Sequence, residues 1–132
     1  MREILFRGKD IAGNWHYGDL INLTKEIKQI CNHNQLEHAH SVNPETVGQY
    51  TGLTDKNGKK IFEGDIVVYN TNTHRATNKE IHEVVFETRG GSGYFGIKIS
   101  NLETWQFCLS VPAKLMEVVG NIHDNPELLK GE

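Results

Sequence analysis

TGLTDKNGKKIFEGDIVVY, residues 51–69, packs glycine, lysine and aspartate into one short run. Such residues build phosphate loops, calcium loops and acid–base pairs. They also build tight turns leading into buried strands. Asn57-Gly58 decides between the two, because both residues accept positive φ and the pair is a strong hairpin signal. Ile61-Phe62 and then Gly64-Asp65 follow it and lead into a strand, the apolar run Ile66–Tyr69. The ligand chemistries fail on missing groups. A Walker loop needs Gly-Lys-Ser/Thr opening a helix after a strand. Here Gly58-Lys59 is followed by Lys60 and a strand. The spaced carboxylates and closing Glu of an EF-hand are also missing. Residues 51–69 are therefore expected to shape the chain, with Gly58 at positive φ and Asp65 accepting backbone N–H groups as its strand begins.

Working outward, REILFRG (2–8) alternates like a strand, with Ile4 and Phe6 on one face. Gly13-Asn14 marks a turn, and Trp15 and Tyr17 share one face of the returning strand, which makes an N-terminal hairpin. Residues 26–31 and 36–42 read as strands. Asn43-Pro44-Glu45 and Asn125-Pro126-Glu127 are helix-start signals that give short helical turns. Further strands are expected in IHEVVFE (81–87), YFGIKIS (94–100, with Phe95, Ile97 and Ile99 on one face), TWQFCLSV (104–111) and MEVVGNIH (116–123). Residues 70–80 are polar and unpatterned, hence an exposed loop. The expected fold is mainly β: an N-terminal β lobe over 1–50 and a small SH3-like antiparallel barrel over 51–132, which together can form one continuous domain.

DIAGNWHYGDLI echoes DKNGKKIFEGDIV. Asp10, Gly13, Tyr17, Gly18 and Asp19 match Asp55, Gly58, Phe62, Gly64 and Asp65 once a one-residue gap is allowed. Either one device is used twice or common turn chemistry recurs.

With 132 residues the chain can bury a core without metal or disulfide staples. Its 14 basic and 17 acidic side chains give a net charge of −3, which weighs against a dedicated nucleic-acid binder. Cys31 and Cys108 lie far apart without CxxC spacing and read as free, partly buried thiols in a reducing compartment. No apolar run approaches the length of a membrane span, and MREILFRGKD lacks the apolar core of a signal peptide, so a cytoplasmic location is expected.

The long motif VGQYTGLTDKNGKKIFEGDIV closely resembles the signature of the YopX family, small proteins of phages and prophages of Gram-positive bacteria. FRGKD...GNWHYGDLI and EVVGNIHDNPELL resemble its N- and C-terminal motifs, so the likeness runs from Arg2 to Leu129. It implies a β-rich fold and a phage-encoded, intracellular origin. It carries no reaction, cofactor or catalytic residue with it. Segments 22–42 and 70–80 match the family pattern least.

Site readings divide accordingly. Gly18, Asp19, Asn57, Gly58, Gly64 and Asp65 form a structural signature. Trp15, Tyr17, Lys56, Lys59 and Trp105 are candidate interaction residues, although aromatics on alternating strands usually face inward. Cys31, His33, His38 and His40 lie close together, but without the paired, regular spacing of a zinc site. Glu63 and Asp65 share a face at a strand start, and a Cys–His nucleophile lacks any visible activating partner. Arg75, Lys79 and Arg89 on loops add scattered positive charge. The reading is a non-catalytic module without cofactor that binds a host or phage protein, with self-association through an edge strand open to it. A nucleic-acid-binding accessory protein is the alternative. Chelator treatment is expected to leave the melting temperature unchanged, since no complete ligand set is visible. A clear fall in a thermal melt would restore the histidine cluster as a metal site.

Overall fold

The computed structural model describes residues 3–31, 38–70, 79–100, 103–108 and 111–129. The protein is mainly β, with two antiparallel sheets and no α-helix among the described residues. It divides into two units, Met1–Gly52 and Leu53–Glu132.

In the first unit β1 (Phe6–Lys9) and β2 (Trp15–Asn22) form the expected hairpin, with Phe6 opposite Gly18 and Lys9 opposite Trp15. The first strand is shorter than its alternation suggests. Ile4 lies outside it and is largely exposed. β3 (Lys28–Cys31), β4 (His40–Val42) and β5 (Gly48–Thr54) follow, in the spatial order β4-β3-β2-β1-β5. The strand expected over 36–42 is thus the short β4; its first residues, 36 and 37, lie outside the described residues, as does His33.

This sheet curls. Val42 crosses above β1, so that a Cβ built on Gly8 would lie 2.8 Å from the Val42 Cγ2 methyl. The Asn43 N–H then donates to the Lys9 carbonyl at 2.8 Å, and the Lys9 N–H to Thr46 Oγ1 at 2.8 Å. Asn43 also caps the 3-10 turn Pro44–Thr46, its side chain accepting from the Glu45 N–H at 3.1 Å. Proline at the first position and a polar cap before it make that turn readable from sequence.

β5 carries the chain into the second unit and turns back through Asp55–Gly58 into β6 (Lys60–Phe62). The turn differs from the two-residue Asn57-Gly58 loop. The Gly58 N–H donates to the Asp55 carbonyl at 3.0 Å, and the Asp55 N–H to the Lys59 carbonyl at 2.8 Å. Lys56 and Asn57 are therefore the central pair, and Gly58 follows them at φ +80°. This is the three-residue hairpin loop with glycine at the left-handed position.

β7 (Asp65–Asn70), β8 (Lys79–Arg89), β9 (Ser92–Ser100), β10 (Glu103–Gln106) and β11 (Met116–Asn121) build the second sheet, in the order β10-β9-β8-β7-β11. Ends of the segment read as a loop over 70–80 belong to β7 and β8; 71–78 lie outside the described residues, and Arg75 with them. Lys79 and Arg89 are the terminal residues of β8, not loop residues. The SH3-like barrel is corrected. β10 and β11 are the two edges of this sheet and do not pair, so it is open. The strand expected over 104–111 ends at Gln106 as β10, and Cys108 forms an isolated antiparallel bridge with Val111; residues 109 and 110 lie outside the described residues. Further 3-10 turns span Ala113–Leu115 and Pro126–Leu129.

One face of this sheet forms the core. Val67, Tyr69, Val84, Ile97 and Met116 meet Ile61 and Ala113, all buried. Trp105, Phe107, Val111, Val118 and Ile99 pack around them. The expected Ile97–Ile99 face is this one. Asp65 also lies buried, accepting the Phe62 N–H at 2.7 Å as β7 begins.

Two glycines are required for different reasons, and substitution separates them. No other atom lies within 4 Å of a Cβ on Gly58, so its constraint is backbone sign alone. Gly58→Val should destabilise by more than about 1 kcal/mol, and Gly58→Asn by less, because asparagine tolerates the left-handed region. Gly8→Ala should cost roughly 1–3 kcal/mol through overpacking against Val42. Denaturant melts of the three variants check this ordering.

Candidate functional site

The sequence echo has a geometric core. In both copies an aspartate opens a tight turn in the same way. The Asp10 N–H donates to the Asn14 carbonyl at 2.9 Å, the Gly13 N–H to the Asp10 carbonyl at 3.0 Å, and the Asn14 N–H to Asp10 Oδ1 at 2.8 Å. Asp55, Gly58 and Lys59 repeat that pattern, with the Lys59 N–H on Asp55 Oδ1 at 2.9 Å. The second half of the echo does not repeat. Gly64-Asp65 sits at the β6–β7 reversal, whereas Gly18-Asp19 lies inside β2, opposite Phe6 at Gly18 and Cys31 at Asp19.

The two turns differ in where the other carboxylate oxygen goes. Asp55 Oδ2 accepts the Val118 N–H of β11 at 2.9 Å. Beside it the Lys56 N–H donates to the Met116 carbonyl at 2.9 Å. β11 pairs with β7 on its other side, so the turn occupies outward-facing backbone groups of an edge strand. Asp55 is only 4% exposed. Burial works against its ionisation, but the N–H groups of Val118, Lys59 and Asn57 outweigh burial and hold its pKa below the ordinary value. Lys56 forms an ion pair with Glu117 at 3.4 Å, so its charge is already engaged; Lys59 and Lys60 are exposed. Gly64 continues the same bracing: its N–H donates to the Val84 carbonyl and its carbonyl accepts from Ile122. In the glycine-, lysine- and aspartate-rich run, Asp55, Lys56 and Gly64 are thus each engaged in native contacts.

Asp10 Oδ2 instead meets His16 Nε2 at 2.7 Å. The His16 hydrogen bond, with the Asn14 N–H behind it, holds Asp10 at a pKa of about 2. The His16 ring stacks on His40 of β4, centroids 3.9 Å apart and planes 14° from parallel. By register, Arg7, Lys9, Trp15 and Tyr17 occupy the opposite face of the hairpin from His16. The Arg7 guanidinium lies over the Trp15 ring at 4.8 Å and the Lys9 ammonium at 5.8 Å. Trp15 is half-buried, and Tyr17 beside it is 51% exposed. The first hairpin thus carries an Asp–His–His group on one face, and on the other a tryptophan braced by two cations with Tyr17 beside it.

The remaining candidates separate. Trp105 packs against the core of the second unit, its Nε1–H donating to Glu103 at 2.8 Å, so it is a packing residue with a satisfied polar end. Cys31 is buried, but Cys108 is exposed rather than partly buried. His38 is exposed, and His40 pairs with His16 rather than with its sequence neighbours. Among the described residues no group of three His, Cys, Asp or Glu side chains is placed to hold a metal ion. Of the two carboxylates at the start of β7, Asp65 is buried and accepts the Phe62 N–H. On β8, burial raises the pKa of Glu83 against the opposing pull of Lys98. Sequence reasoning missed Asp55, Arg7 and His16. For the aspartates the signal was the first position of Asp-x-x-Gly. For Arg7 and His16 only cross-strand register brings out their partners.

Asp55→Ala strands the N–H groups of Asn57, Lys59 and Val118, and should cost about 3 kcal/mol given roughly 1–3 kcal/mol per buried unpaired donor. Asp55→Asn keeps one acceptor oxygen and should cost less. Asp10→Ala, at an exposed turn, should be the mildest of the three. Because the folded pKa of Asp55 is depressed, its stabilisation is fully present above the ordinary aspartate value of about 3.9 and is lost as pH falls through the folded value. Urea melts below pH 4 should therefore fall more steeply for the parent protein than for Asp55→Asn.

A family model described as YopX protein matches residues 5–130. Among solved structures, the crystal structure of protein EF1440 from Enterococcus faecalis matches with a TM-score of 0.56 and 26% identity, over 98% of this chain and 99% of that one. No curated protein matches. No helix among the described residues is long and apolar enough to cross a membrane. With nearly the whole chain inside the family model, and the two aspartate turns and their strands falling within that span, the chain belongs to the YopX family.

Proposed function

We propose that this chain is a non-catalytic binding module of phage or prophage type, acting in the cytoplasm on a host or phage protein through its first hairpin. The observation that carries the reading is Tyr17, an exposed tyrosine beside a tryptophan braced by Arg7 and Lys9. Binding energy concentrates in tryptophan, tyrosine and arginine, which offer large contact area at small entropic cost. A ring already held by two cations has less freedom to lose when a partner docks.

The same residues support a second reading, a nucleic-acid-binding accessory protein. Exposed aromatics stack on bases, and nearby lysine and arginine engage phosphates. Against it stand the net charge of −3 and the ion pair that ties Lys56 to Glu117. Salt separates the two, because phosphate contacts weaken steeply with added salt through counterion release.

Immobilised protein, incubated with lysate from a Gram-positive host with and without nuclease, is the direct test. The expected result is a defined protein retained after nuclease and at moderate salt, lost on Tyr17→Ala, with the melting temperature of that variant within about 2 °C of the parent because the side chain is exposed. Retention that vanishes with nuclease favours the accessory-protein reading. Retention unchanged by both Tyr17→Ala and Trp15→Ala removes the hairpin as the binding surface.

A further inference from the structure

We propose that the stacked His16–His40 pair, set against the Asp10 carboxylate, is a proton-operated clasp: it holds the edge strand β4 on the first unit's sheet and releases it when both imidazoles are charged. β4 is three residues long, paired with β3 through His40–Ile30, Ser41–Gln29 and Val42–Lys28. So short a strand has few ladder bonds, and one side-chain contact weighs heavily in its local stability. The ring stack is such a contact. It ties β4 to β2, which is not its neighbour in the sheet.

The proton inventory follows from the geometry. An ionised carboxylate only accepts, so the 2.7 Å contact assigns a hydrogen to His16 Nε2. Asp10, with a pKa of about 2, remains an anion throughout the range where imidazoles titrate. With Nε2 already carrying a hydrogen, His16 can be charged only at Nδ1, and the Asp10 carboxylate stands against that charge. A second, on His40, places two cations face to face at 3.9 Å. One carboxylate cannot balance both.

Among the described residues, the other charged groups on the surrounding elements do not supply a second anion at the rings; Glu37, before β4, lies outside the described residues. On β1, Arg7 and Lys9 lie over the Trp15 ring on the opposite face. On β3, Lys28 bonds to the Asn22 side chain and the Thr24 carbonyl. Asp19 stands on β2 opposite Cys31, on the face away from His16, and Glu45 is exposed in the 3-10 turn, its N–H on the Asn43 cap. His38, two residues before His40, is exposed and carries no carboxylate.

Amide hydrogen exchange by NMR tests the clasp on the intact chain, with rates corrected for their intrinsic pH dependence. Between pH 8 and pH 5, protection of the His40–Val42 amides should fall about fivefold or more relative to that of β8 and β9. Fivefold corresponds to roughly 1 kcal/mol, the repulsion of two unit charges some 4 Å apart in water. His40→Phe keeps a stacking ring but no second charge, and should abolish the fall. Should His40→Phe not fold, the parent's His16 and His40 ring signals, titrated by NMR, give the second readout: a clasp requires each ring's shift to respond to the other's titration. Protection of β4 that does not change with pH, an equal fall in His40→Phe, or two independent ring titrations would overturn the proposal.

Discussion

The second unit depends on one buried carboxylate. Placing the Asp55 anion out of water is costly, and it is tolerated because three backbone N–H groups converge on its two oxygens. Each is a donor that the fold must satisfy anyway. Two belong to the turn between β5 and β6, and the third to β11. The third bond matters most. β11 is an edge strand of an open sheet, and an edge with free N–H and C=O groups is a template for unwanted pairing. With Asp55 on the Val118 N–H and the Lys56 N–H on the Met116 carbonyl, the turn caps that edge with one side chain and one amide. A register shift between Val118 and Gly120 interrupts the same strand. Bulges and capped edges are alternative ways of blunting an edge, and β11 carries both.

The first hairpin shows what the same turn does without that duty. Asp10 closes its loop with the same backbone bonds as Asp55. Six residues on, the second copy has Ile61, fully buried in the core, and the first has His16. An apolar residue there leaves the spare carboxylate oxygen free for β11. A histidine claims it instead. One substitution in a shared frame therefore turns a packing position into an ionisable one, and the hairpin that keeps the histidine also presents Tyr17 to solvent.

What could be read from the sequence follows the range of the physics. Turn chemistry is local, so Asn43-Pro44 and Pro126 placed their turns correctly and Gly58 has the expected positive φ. Period-two alternation is local too, and β7, β8 and β9 fall where Ile66–Tyr69, Ile81–Glu87 and Tyr94–Ser100 predict. Closure is not local. Whether β10 meets β11 depends on accumulated twist and on the break after Gln106, and alternation carries neither, so the barrel was expected and an open sheet found. Asn57-Gly58 shows a smaller limit. The dipeptide announces a hairpin, but the turn's position shifted by one residue because Asp55 accepts from both Asn57 and Lys59. The Arg7–Trp15 and His16–His40 pairs were invisible for the same reason as closure: only register across strands brings those residues together.

This division also bears on where function resides. In the segment most suggestive of chemistry, residues 51–69, four residues are engaged by folding: Asp55 by three amides, Asp65 by the Phe62 N–H, Lys56 by Glu117 and Gly64 by Val84 and Ile122. A group so committed must break native bonds before it can bind anything, and that cost is subtracted from any affinity it offers. Half of the Tyr17 surface is already in water, and a partner that covered it would remove that surface from solvent with apolar gain. Trp15 is preset beside it by Arg7 and Lys9. The aromatic hairpin, rather than the motif-rich turn, is therefore the surface on which the proposed binding rests.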